Sequence, residues 1–377
     1  MSKGSPNYSR ATTPAAVYCR GCMWSKRADG SIEDATGKVI FFSTQRFVDD
    51  ICLGQCCFVC GARPGSKPFN DEHILPAWLL RRFNLFARTI TLPGGHKVRY
   101  DRYTVPCCQD CNSLMGKRIE TPISTIVSGG APAIYRFLEG GDLLKLYVWM
   151  GLIYLKTHLK DRAMRVHLDR RKGDEKIADD YDWSHLHHIH SVVRCFTNGC
   201  TVEPEAVGSF LCLPVNPAGS IEQFDFSDLY LAQTMLLRLD DIALFCVFDD
   251  SGGALSRFHP RLDRVTGPLS HIQLREVMAE LAFLNMSLKE RPSFHTECDL
   301  INETSRIVAI RPELDLVPVD LRLRGKLLRH AIYDVPLGMQ FQGVSREDAL
   351  AAIDAGTMTF LFDENGDFIR ESMKPAP

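Results

Sequence analysis

An α+β fold is what this sequence predicts, and three observations carry that reading. Two long stretches, "GDLLKLYVWMGLIYLKTHLKDRAM" and "LSHIQLREVMAELAFLNMSLK", have helical length and apolar density. Short β-rich runs such as "TITL" and "VRYDRYTV" are bounded by Pro and Gly. Nine of the 14 cysteines fall before residue 112, at 19, 22, 52, 56, 57, 60, 107, 108 and 111. The first two observations give mixed secondary structure, and the third a metal-braced N-terminal portion.

Taken in chain order, residues 1 to about 17 are rich in Ser, Thr, Pro and Gly and read as mobile. Residues 1–45 form an N-terminal extension, 46–128 a cysteine-bearing module and 129–377 a larger mixed α+β domain of unknown fold. The boundary is placed at Gly129-Gly130, after "STIVS". Within the module, "ARTITLPGGHKVRYDRYTVPC" reads as a hairpin across the Pro-Gly-Gly turn, and "CNSLMGKRIE" opens a helix. Further on, "ALFCVFDDSGGALSRF" reads as strand, Ser-Gly-Gly turn, strand, with its two acids explained by the turn. "SREDALAAIDAG" reads as a capped helix and "MTFLFDENGDFIR" as a hairpin around Asn365-Gly366.

Composition narrows the class. With 45% apolar and 24% charged residues in 377, the chain can bury a sizeable core. Its longest apolar run is interrupted by Lys145 and stops at Lys156, short of the roughly 20 residues a spanning helix needs. No signal-peptide core is seen, so a cytoplasmic protein with reduced cysteines is expected. The net charge of −2 shows no global affinity for nucleic acid. Residues 46–125 differ, with 11 Lys and Arg against 7 Asp and Glu, whereas the rest of the chain has 33 against 39.

"CFVC" (57–60) and "CQDC" (108–111) are two C-x₂-C pairs with 47 residues between them. Such pairs can present four thiolates, Cys57, Cys60, Cys108 and Cys111, to one tetrahedral Zn²⁺. Cys56 and Cys107 sit beside them, and the two-residue spacing favours the other register. Between the pairs lies "DEHILP", and Asn112 follows the last cysteine directly. Glu72-His73-Ile74-x-Pro76 and Cys108-x₂-Cys111-Asn112, with both knuckles, make this segment resemble the HNH endonucleases, the ββα-metal nuclease family. The likeness covers roughly residues 55–125.

The resemblance implies a zinc-braced ββα-metal module that cuts DNA, with Glu72 and His73 closing the first strand and Asn112 on the helix. The chemistry suits these residue types. A neutral imidazole, His73, takes a proton from water. A hard divalent cation, Mg²⁺ or Mn²⁺, stabilises charge at the phosphate, and Glu72 and Asn112 offer it oxygen ligands. Adjacent strand residues point oppositely, so a strand end or bulge must re-aim one of the pair. The family's middle position has no plain counterpart: Tyr103 matches by spacing, and Asn84 and His96 are the other candidates. Glu120 is an outer carboxylate or a solvated helix residue, and Asp71 a strand-end cap. Arg81, Arg82, Arg99, Lys117 and Arg118, with Arg88, Lys97 and Arg102, read as phosphate contacts or as a solvated face.

The resemblance also implies a setting in anti-phage defence or a mobile element. The C-terminal domain is left to sense a ligand, bind DNA or engage a protein partner or second copy. A rival function is a non-catalytic zinc module that binds nucleic acid or protein. It would keep the cysteines without needing Glu72-His73. Two weaker features remain. Cys19 and Cys22 could join Cys52 and Cys56 in a second zinc site, or all four are plain thiols. "HLHHIH" (185–190) reads as part of an amphipathic segment rather than a metal site.

Overall fold

A computed structural model of the chain describes residues 23–92, 95–167, 169–216, 223–335 and 345–370. Three short strands, β1 (Ser25–Lys26), β2 (Ile32–Glu33) and β3 (Val39–Phe41), form an antiparallel sheet. Ser43 then caps α1 (Thr44–Arg46) by accepting from the Arg46 amide. The helix widens into a π-helical turn, Phe47–Leu53, that stops at Gly54. A Cβ at Gly54 would lie 2.3 Å from the Asp50 carbonyl, so only glycine fits that close approach.

The next elements carry the cysteine and acid-histidine motifs. β4 (Phe69–His73) is followed by α2 (Ala77–Arg82), a small hairpin of β5 (Thr89–Thr91) and β6 (Lys97–Arg99), and β7 (Thr104–Cys108). The expected hairpin is therefore present but shorter. A 3₁₀ turn at Tyr100–Arg102 breaks its second run, and the remainder pairs antiparallel with β4 instead. β7 leads straight into α3 (Gln109–Met115), a π-helical turn Gly116–Glu120 and α4 (Thr121–Ser128).

Gly129 and Gly130 separate α4 from α5 (Gly130–Glu139), where the sequence places its boundary. α6 (Leu143–Asp161) is buried on nearly every side, as its all-round apolar sequence requires. It packs against α7 (His187–Val193), with Gly151 admitting Val193: a Cβ there would lie 2.9 Å from the valine methyl. After α8 (Cys195–Asn198) come β8 (Thr201–Val202), β9 (Phe210–Pro214), β10 (Phe224–Leu229), β11 (Thr234–Leu239) and β12 (Ile242–Val247). The last four make an antiparallel sheet in the order β10-β11-β12-β9. Its residues alternate between two cores: Leu237, Leu244 and Cys246 face the one containing α6, and Leu236, Phe245 and Val247 the one containing the later helices.

The segment after β12 departs from the strand-turn-strand expectation. It forms α9 (Gly253–Leu262), because Asp250 accepts hydrogen bonds from the Gly252 and Ala254 amides and Ala254 and Phe258 share one buried face. α10 (His271–Met286) starts with a capping box at Ser270 and Gln273 and is buried nearly throughout. β13 (Ser293–Asp299) and β14 (Thr304–Ile310) form a hairpin, with β8 parallel to β14. α11 (Leu321–Ala331) and α12 (Arg346–Asp354) follow, the latter capped by Ser345 as its sequence predicts. The hairpin expected at Asn365-Gly366 is a single antiparallel bridge, Phe362 to Phe368. The architecture is α+β. Among the described residues, no helix is long and apolar enough to cross a membrane.

Candidate metal centre and the strand of Glu72 and His73

The two knuckles meet. The thiol sulfurs of Cys57, Cys60, Cys108 and Cys111 all lie within 4.8 Å of one another. Cys60 and Cys108 are 3.7 Å apart. Four sulfurs at ~2.3 Å from one zinc have edges of ~3.8 Å, so the donor set fits a tetrahedral metal. Among the described residues it is the one group of His, Cys, Asp or Glu able to hold an ion. The register is the one the spacing favours, although Cys107 also lies 3.8 Å from Cys57. Sulfur donors from Cys107, then Cys111 and Cys60, push the Cys57 thiol far below its ordinary range. A bound cation would favour the thiolate form of all four.

The C-terminal half braces this cluster through residues that sequence reasoning missed. Arg194, beyond α7 and 3% exposed, donates to the Val59 and Val39 carbonyls at 2.6 Å each and to Ile40 at 3.3 Å. Burial pushes its pKa down to about 10, and the neighbouring Cys60 and Cys111 sulfurs oppose that loss of charge. Three histidines of α7 act similarly. His190 reaches the Phe58 carbonyl, inside the first knuckle, at 2.8 Å. His187 and His188 reach the Phe42 and Ala206 carbonyls. These three rings each have a backbone partner and His185 faces the Asp182 carboxylate at 3.4 Å, so the His185–His190 run converges on no ion. Of the proposed second set, Cys19 and Cys22 lie outside the described residues. Cys52 and Cys56 are buried, and burial raises both thiols.

β4 and β7 pair without a register shift, from Phe69 opposite Cys108 to His73 opposite Thr104. No bulge re-aims Glu72 or His73. Exposure follows the pleat: Asp71 is exposed, Glu72 buried and His73, the last strand residue, half-buried with its ring edge-on to Phe86. Asp71 lies inside the strand opposite Pro106, so it is no cap. Asn112 stands on α3 directly after Cys111, half-buried.

Glu72, the expected Mg²⁺ ligand, is otherwise engaged. Its carboxylate meets Lys156 of α6, whose ammonium donates to Glu72 Oε1 and to the His73 carbonyl at 2.8 Å each. Lys156 is 1% exposed. Glu120 closes the group at 3.8 Å from the same nitrogen. Burial, reinforced by Glu72 and opposed by Lys156, pushes the Glu120 carboxyl up to about 7. Glu120 is thus neither solvated nor a helper to a metal here, but half of an acid pair around a lysine. Mg²⁺ holds its oxygens at ~2.0–2.1 Å, a shell that this enclosed ammonium fills at Glu72. As arranged, Glu72 fits a lysine and not a divalent cation.

Tyr103, the spacing match for the family's middle position, is 1% exposed and faces inward. Asn84 sits at positive φ just after α2, and His96 precedes β6. Neither is part of the cysteine group or the Glu72–Lys156 pair. Among the basic candidates, Arg82 pairs with Asp240, Arg99 with Asp101, and Arg118 donates to the Phe196 carbonyl. Arg81 and Lys117 are exposed and, among the described residues, in no ion pair. Compared with protein families, curated proteins and solved structures, the chain matches none.

Proposed function

We propose that residues 46–128 work as an HNH-type endonuclease module that hydrolyses DNA phosphodiester bonds, with Zn²⁺ held by Cys57, Cys60, Cys108 and Cys111. The supporting observation is the antiparallel β4–β7 pair, which ends at Glu72-His73 and runs through the four-cysteine cluster into the helix of Asn112. In this reading the zinc is structural and fixes β7 and α3 against the first knuckle. His73 at the strand end takes the proton from the attacking water, and its carbonyl, bonded to Lys156, holds the backbone there. The exposed Arg81 and Lys117 meet the phosphates. Asn112 carries an amide near the same helix start. Mg²⁺ or Mn²⁺ is the cation the resemblance implies, but Glu72 does not fit it while bound to Lys156. A reducing, cytoplasmic setting belongs to the reading, since the thiols must stay reduced to bind metal. Defence against phage remains part of it by resemblance alone.

The same ion pair favours the second reading, a zinc module that binds nucleic acid or protein without cutting, because it removes the carboxylate on which metal-assisted hydrolysis would rest. Incubating the purified chain with plasmid in Mg²⁺, Mn²⁺ or EDTA separates the two. The nuclease reading expects nicked or linear product, reduced ~10²–10⁴-fold by His73→Ala with zinc content and melting temperature retained. Plasmid retarded but uncut under all conditions supports the binder. Equal cutting by His73→Ala overturns the assignment of the base.

A further inference from the structure

We propose that a cavity between the zinc-bearing segment and the C-terminal half binds a nitrogen heterocycle of the nucleobase or nucleoside class, without a phosphate. The inference does not depend on the nuclease reading. The cavity measures about 830 Å³ and is bounded by the β5 strand and Tyr103 on one side and by α6, β10 and α11 on the others. That volume lies within the range of small-molecule sites.

Its chemistry selects the occupant. The rings of Tyr181 and Tyr230, both lining residues, stack at 3.6 Å with an 8° interplanar angle. Together with Ile90, Leu92 and Leu327 they give a largely apolar lining with aromatic surface. Two carboxylates reach the cavity from either side of His158. Asp161 Oδ2 accepts from the Tyr181 hydroxyl at 2.8 Å and lies 3.1 Å from His158 Nδ1; Asp228 Oδ2 lies 3.3 Å from His158 Nε2. These contacts all use Oδ2, which leaves each Oδ1 to receive a ligand N–H. Tyr103 lines the same cavity, and its buried hydroxyl has no hydrogen-bond partner. The nearby Thr157 hydroxyl donates to the Ile153 carbonyl and stands outside hydrogen-bond geometry with Tyr103. A buried hydroxyl left unmatched is costly, and a ring nitrogen or carbonyl of a bound base would satisfy it.

Phosphate is disfavoured by charge. The enclosed cation, Arg275, is already held by both oxygens of Asp225 and by the Ala331 carbonyl. Across the whole lining, Asp161, Asp180, Asp228 and Asp334 outnumber Arg275 and Lys326, the latter exposed at the rim. A plain polyamine would satisfy the carboxylates but not the ring wall or the Tyr103 hydroxyl. A base with an amino edge and an acceptor satisfies all three.

The test is calorimetric titration of the full chain with adenosine, guanosine, cytidine and uridine, each beside its 5′-monophosphate and with spermidine as control. The expected result is binding of at least one nucleoside with Kd below about 1 mM, and at least tenfold weaker binding of its monophosphate. Asp228→Asn and Tyr103→Phe should each weaken the nucleoside about tenfold, the loss expected for one hydrogen bond. Leu327→Trp, which fills the cavity from its α11 wall, should abolish it. Circular dichroism selects the variants that fold, and affinities are compared among those. The proposal is overturned if no nucleoside binds, if the monophosphate binds as well, if spermidine alone binds, or if the folded variants bind like wild type.

Discussion

Replacing Lys156 by methionine keeps the apolar stem and deletes one buried cation. Three interactions go with it: Glu72 at 2.8 Å, the His73 carbonyl at 2.8 Å and Glu120 at 3.8 Å. Removing one partner of a buried pair typically costs ~3–5 kcal/mol. The abandoned carboxylate sets an independent ceiling, because it can escape by taking a proton. For an ordinary glutamate near pKa ~4.3, that costs about 1.36 kcal/mol per pH unit, or ~3.7 kcal/mol at pH 7. The loss should therefore be ~3–4 kcal/mol at pH 7. It should shrink to ~1 kcal/mol at pH 5, since a carboxylate without its counter-ion has a raised folded pKa and its penalty fades as pH falls. Guanidinium unfolding at both pH values reads this as a shift in midpoint. The double variant Glu72→Gln with Lys156→Met should regain most of the loss at pH 7, because Glu72 is no longer an orphaned charge and only Glu120 remains, its carboxyl already raised by burial to about 7. A single variant within ~1 kcal/mol of wild type at pH 7, or a double variant no better than the single, would refute the account of this pair.

Purified chain should contain about one equivalent of zinc by elemental analysis, lost on Cys60→Ser; two equivalents would point to Cys19 and Cys22 as well. Arg194→Met should destabilise the chain by ~2–4 kcal/mol, since three carbonyls lose a buried donor. It should also speed zinc release to a chromogenic chelator, and unchanged release would deny the brace. Because Glu120 is pushed up to about 7 from 4.5, it should lower stability as pH rises from 4.5 to 7, by at most about 3 kcal/mol. The folded state holds a proton there that the unfolded state has released. Glu120→Gln should flatten that part of the stability–pH curve, and an unaltered slope would assign it elsewhere.

The cysteine register was legible because two-residue spacing is a local constraint that survives without knowledge of the fold. α6, α10 and the capped α12 were legible for the same reason, as periodicity and caps lie within one element. Lys156 was not. Its meaning depends on a partner 84 positions away, and the sequence showed only a lysine at which an apolar run stops. A lysine embedded in such a helix is itself a signal, since lysines are rarely buried without a partner. Arg194 and His190 were illegible because their acceptors are backbone carbonyls, which have no sequence identity. The error at α9 came from reading Ser-Gly-Gly as a hairpin turn; Asp250 instead supplies the acceptor that starts a helix there.

The buried core that surrounds Cys57 and Cys108 is continuous with α6, α7 and one face of the four-stranded sheet, as far as Ile307. Gly129-Gly130 is therefore a joint in the chain and not a seam in the solid. A cassette cut at that joint and spliced onto another protein would leave behind the lysine of Glu72 and the arginine of the knuckle. Recombination can move this cysteine segment only together with the two helical stretches that complete it, so its inheritance should follow the whole chain rather than the motif.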